Sequence, residues 1–169
     1  SLLLSANAQI KNPAVLNKSR SITTSIVKYP ALISSQSLDL NFPFDTFVFS
    51  SSFKHISYGV FKGYNENGED IGSYRSNETW MDGCLSKEIN SYPILLGSSI
   101  SLKSANFSSL NIKTLLTSIG AIGYFKDKSN AVGFSINQIG LELADQQLSY
   151  ISPNFILGGS RKLNYLPAI

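Results

Sequence analysis

Between Tyr92 and Phe125 apolar and polar residues alternate. In the first half Ile94, Leu96, Ile100 and Leu102 share one parity, and Gly97, Ser99, Ser101 and Lys103 share the other. A period of two places these sets on opposite faces of a strand, one apolar and one small or polar. A polar break at Ser104–Ser109 follows, and from Leu110 the alternation returns less regularly. Two long alternating strands with a short polar link predict an antiparallel hairpin. Its two faces can meet solvent in either of two ways. A soluble sandwich packs the apolar face inward. An outer-membrane barrel turns that face to lipid and lines its lumen with the polar one.

The same period recurs along much of the chain. Residues 10–37 are the least regular, interrupted by Pro13 and Pro30, and Ser21–Tyr29 reads as a strand or a short helix. Leu38–Phe42 alternates up to Pro43. Asp45–Lys54 is a clear strand, with Phe47, Phe49 and Phe53 on one parity and Val48, Ser50, Ser52 and Lys54 on the other. Ile56–Tyr64 follows, then Asn65–Asp70, where Asn67-Gly68 offers the positive φ angles of a tight hairpin. In Ser73–Glu88 one parity carries Glu78, Trp80, Asp82, Cys84 and Ser86. Asn90-Ser91 reads as a turn, as does Lys126–Asn130. Ala131–Asn137 alternates again, Glu142–Gln147 reads as a charged loop, and Asn154–Leu163 is the last strand. The sum is an all-β antiparallel meander of about eight strands. Strands of about ten residues suit a tilted bilayer crossing, whereas soluble strands average about five or six. Tyr58, Tyr64, Tyr74, Tyr92 and Tyr124, near turns, fit interfacial girdles.

Composition points the same way. Charged residues make up 15% of the chain, against about 25% in soluble domains. Ser, Asn and Gly supply the polarity instead. The net charge of +3 comes from dispersed residues without a basic run, which argues against nucleic-acid binding. No uninterrupted apolar run approaches the roughly 18 residues of a membrane-spanning helix. Residues 1–8 form a short apolar run with Ala6 and Ala8 at signal-peptidase spacing, which reads as a signal-peptide remnant with Gln9 as the mature N-terminus.

Site chemistry is sparse, and the sequence yields no catalytic, cofactor-binding or metal-ligating set. Cys84 is the single cysteine, so neither a disulfide framework nor a cysteine metal cluster can form. His55 is the single histidine, and no serine sits in a G-x-S-x-G elbow. Glu78 and Asp82 share a strand face, but four residues of strand separate them by about 13 Å, too far for a paired-carboxylate glycosidase site. Lys54, Lys103 and Lys162 fall on the small-residue parities, where they mark either a positively lined interior or solvated strand ends.

Several stretches resemble the PorQ family of outer-membrane β-barrels, which is similar to PorV and to FadL-like barrels. They are Ser57-Tyr58-Gly59 with Tyr64, Asn67-Gly68 with Ile71-Gly72-Ser73-Tyr74, then Glu78 and Leu85-Ser86-Lys87. Leu96-Gly97, Ser101-Leu102-Lys103, Gly133–Gly140, Ser160–Leu163 and Leu166-Pro167 follow in order. The resemblance spans roughly Pro30–Pro167, and the part before Pro30 is shorter than is usual in the family. It implies a signal peptide, an outer-membrane location in Bacteroidota and a barrel of about twice this length. The chain then divides into residues 1–8, an irregular segment 9–37 and a partial transmembrane barrel 38–169, as an N-terminal fragment. The implied role is non-enzymatic: a component of the type IX secretion system that anchors the surface attachment complex in the lipid bilayer. Its implied partners are similar to PorZ, PorU and PorV, and no cofactor is implied. A FadL-like channel for hydrophobic small molecules is the alternative, and a soluble secreted β-sandwich adhesin is a third reading.

Overall fold

The computed structural model describes residues 12–15, 17–30, 32–89, 91–108, 110–125 and 130–161. Among them are nine strands and no helix: β1 (Ser21–Lys28), β2 (Ser34–Pro43), β3 (Phe47–Tyr64), β4 (Asp70–Ile89), β5 (Ile94–Phe107), β6 (Leu110–Tyr124), β7 (Asn130–Ala144), β8 (Gln147–Ile151) and β9 (Asn154–Arg161). They form a single antiparallel sheet in which β1 to β8 pair in sequence order and β9 pairs with β7. The sheet is not closed. The all-β antiparallel meander read from the alternation is therefore the observed architecture. Residues 1–8, Lys162 and Leu166-Pro167 lie outside the described residues.

Ser21–Lys28 resolves as strand, and with the start of β2 it places regular structure inside the stretch read as irregular. The reason is local. In this edge strand Thr23 and Thr24 fall on opposite faces, and each face mixes apolar with polar residues, Ile22 and Ile26 with Lys28 on one and Val27 with Ser21 and Ser25 on the other, which weakens the alternation.

The separate strands Asp45–Lys54 and Ile56–Tyr64 are corrected to one strand of 18 residues. A bulge between Ser57 and Gly59 shifts the register, with Gly59 at φ 92°. An extra residue exchanges the faces beyond it. Ile56 and Val60 share a parity yet point to opposite sides of the sheet. The charged loop at Glu142–Gln147 is also corrected. β7 runs on through Glu142 to Ala144, and the turn is only Asp145-Gln146, both at positive φ (43° and 72°). Such two-residue turns favour Asn and Gly, so Asp-Gln carries no hairpin signature.

The hairpin at Asn65–Asp70 forms as expected, although its closing device is the Asn65 side chain. Asn65 Oδ1 accepts hydrogen bonds from the backbone N–H groups of Asn67 (3.0 Å) and Glu69 (2.8 Å). Gly68 supplies a positive φ of 81°. At the far edge β8 and β9 both pair with β7, one beyond the other. Pro153, which has no N–H to donate, sits in the break between them.

Candidate functional site

The cross-strand register converts the alternation into two continuous faces. One row runs Leu38, Phe53, Met81, Leu102, Leu115 and Leu141 across six strands. The row one residue away runs Asp39, Ser52, Asp82, Ser101, Leu116 and Gly140, pointing the other way. The apolar side is the exposed one: Ile100 is 51% and Leu102 50% accessible. A depression of about 360 Å³ on that side is lined mainly by Met81, Leu102, Leu115, Leu141, Leu143 and Leu148. The polar side holds the buried residues of the sheet. Asn41, Ser76, Ser86, Thr114, Ser135 and Asn137 are buried, beside the apolar Val48, Leu95 and Leu116. Burial is thus inverted relative to a water-soluble sheet, where apolar side chains are the ones withdrawn from solvent.

The polar face is covered in part by the chain's own N-terminal segment. The Pro13 carbonyl accepts a hydrogen bond from Ser86 Oγ at 2.6 Å and faces the Cys84 thiol at 3.5 Å. Asn12 Nδ2 reaches the carbonyls of Ala121 (3.5 Å) and Phe134 (3.4 Å). The segment lies directly on the sheet because glycines make room for it. A Cβ at Gly97 would overlap the Pro13 carbonyl, and one at Gly120 would overlap Asn12 Oδ1. Further on, Asn41 Nδ2 donates to the Asn17 carbonyl at 2.8 Å, and Lys18 pairs with Glu88 at 2.7 Å. This strap crosses from β7 towards β2 before the chain enters β1. Sequence reasoning did not find it, because Asn12-Pro13-Ala14 has no periodicity and its receptor is assembled from Gly97 and Gly120, 23 positions apart on different strands.

Beyond the strap the wall is polar and internally bonded. Asp82 accepts hydrogen bonds from Ser52 (3.1 Å) and Ser101, and Asp39 is level with them on β2. Glu78 accepts from the Tyr58 hydroxyl at 2.9 Å, and Glu142 from Thr114 at 3.4 Å. Trp80 stands between Glu78 and Asp82 on the same face. Lys54 and Lys103, from the flanking strands, place their ammonium groups 4.7 and 5.8 Å from the indole centroid. Two of the three lysines singled out by parity are therefore brought together.

His55 is held by Thr79, Nδ1 to Oγ1 at 2.9 Å, and by its register it lies on the face opposite Asp39, Glu78 and Asp82. No nucleophile–histidine–carboxylate array forms from it. No three potential metal ligands converge among the described residues. Comparison with protein-family models, with curated proteins and with solved structures finds no match.

Proposed function

We propose that this chain is part of a transmembrane outer-membrane β-barrel, with the apolar face against lipid and the polar face lining an aqueous lumen. The inverted burial carries the reading. A sheet that exposes Phe49, Phe53, Leu85, Leu96, Ile100, Leu102 and Ile119 while burying serines and asparagines suits a solvent that is apolar outside and polar inside. Strand length agrees: β3 to β7 run from 14 to 20 residues, longer than the roughly 9–11 a tilted strand needs to cross a bilayer. Extraction tests it. A barrel stays with the membrane pellet through carbonate and high salt and is released by detergent. Release by carbonate alone would overturn the assignment.

Within that class the resemblance to PorQ favours a non-enzymatic role in type IX secretion, anchoring the surface attachment complex through partners similar to PorZ, PorU and PorV. Deletion in the native host should then leave cargo bearing the C-terminal secretion signal unanchored, and normal cargo attachment would refute the role. The strap favours a second reading, a FadL-like channel for hydrophobic small molecules. A segment seated on the polar wall by Ser86 and the glycines is placed as a lumen plug would be. Unaltered uptake of hydrophobic solutes in the deletion strain would remove that reading.

A further inference from the structure

We infer that Lys54, Trp80 and Lys103 form a binding site for a multivalent oxyanion, a solute bearing phosphate or several carboxylates, on the polar wall. The inference rests on the reading of that wall as an aqueous lumen. β3, β4 and β5 are paired so that Lys54 is opposite Trp80 and Trp80 is opposite Lys103. The indole is therefore flanked by two ammonium groups from neighbouring strands. Two cations held this close repel, and the ring's negative faces offset part of that repulsion.

What marks the pair as a receptor is how the neighbouring carboxylates are used. Neither lysine forms an ion pair with any described carboxylate. Asp82 is taken up by Ser52 and Ser101, Glu78 by Tyr58, and Glu142 by Thr114. Each of these acids accepts from a hydroxyl and keeps its charge, and neither ammonium group is held by one of them. Asp39 is the remaining acid nearby. It is exposed and level with Ser52, two residues from Lys54 on the same face and on the side away from Lys103. Its charge opposes an anion at Lys54, and Lys103 is the more open side of the site. A pair of lysines on a lumen wall selects and concentrates anions.

Trp80 is the only tryptophan of the chain, so its fluorescence reports this site alone. The folded full chain in detergent micelles is titrated with inorganic phosphate and, separately, with citrate, against potassium chloride at matched ionic strength. Phosphate and citrate should each give a saturable change that chloride does not. Lys54→Gln and Lys103→Gln should each weaken the phosphate midpoint by roughly tenfold, the worth of one charge-assisted contact. Lys54→Arg and Lys103→Arg should retain it, and Asp39→Asn should tighten it. Lys18→Gln, whose lysine pairs with Glu88, should titrate like the parent. A response to chloride equal to that to phosphate, or lysine variants that titrate like the parent, would overturn the site. The lumen reading fails separately: it predicts quenching of Trp80 by aqueous acrylamide and none by brominated lipid after reconstitution, and the reverse pattern would refute it whatever the anion titrations show. Heat-modifiable gel mobility identifies a variant that has not folded, and the conservative arginine variants then carry the test.

Discussion

Ile100 and Ser101 are adjacent in β5 and differ in the face they occupy, so one substitution placed at each position tests the proposed lipid and lumen faces. Ile100 is at the middle of Ile94–Phe107. Its side chain is 51% exposed and lies over Gly83, where a Cβ would be 3.6 Å from Ile100 Cγ2. In the proposed barrel, fourteen residues at about 3.3 Å each, tilted about 45°, would span roughly 30 Å along the membrane normal and put Ile100 near the bilayer midplane. Ile100→Arg should then cost about 2–4 kcal/mol, the penalty for a cation at that depth. On a water-facing strand the same exposed change would stay within about 0.5 kcal/mol. Ser101 donates to Asp82 on the other face. Ser101→Arg brings a cation to that carboxylate in a polar setting and should cost less than about 1 kcal/mol. The assay is urea unfolding of the protein refolded into liposomes, followed by gel mobility and by Trp80 fluorescence. Equal small effects at both positions, or a larger loss at Ser101, would refute the assignment of faces.

Gly97→Val should displace the strap, since even a Cβ there overlaps the Pro13 carbonyl; alkylation of Cys84 by a soluble maleimide should accelerate several-fold while strand content by circular dichroism is unchanged. Ser86→Ala removes the hydroxyl that holds Pro13 and should cost about 1 kcal/mol in urea unfolding, with a smaller rise in Cys84 reactivity than Gly97→Val. Replacing Asp145-Gln146 by Asn-Gly should stabilise the β7–β8 hairpin by about 1 kcal/mol, because Asn and Gly adopt positive φ more readily than Asp and Gln; an unchanged unfolding midpoint would count against the turn geometry. Lys18→Ala should change stability by less than about 1 kcal/mol, and the difference should shrink further at high salt, since the Lys18 side chain is 66% exposed.

The two faces of this sheet were legible in the sequence because a strand's side-chain period is two and needs no partner to express itself. Ile94, Leu96, Ile100 and Leu102 separate from Gly97, Ser99, Ser101 and Lys103 by parity alone, and the register keeps them apart. The low charge is read from the sequence directly, whereas strands read as about ten residues run to between 14 and 20 in β3 to β7. The tertiary structure decided what depends on pairing across the chain. The bulge at Ser57/Gly59, which lies inside the predicted strand Ile56–Tyr64 and exchanges the faces beyond it, shows only in the pairing with β4. The hairpin at Asp145-Gln146 forms because β7 and β8 close around a turn whose residues do not announce it. The strap on Gly97 and Gly120, and the meeting of Lys54 with Lys103 over Trp80, bring together residues far apart in sequence. Parity gives the side of the sheet a residue faces, and only register gives its neighbours there.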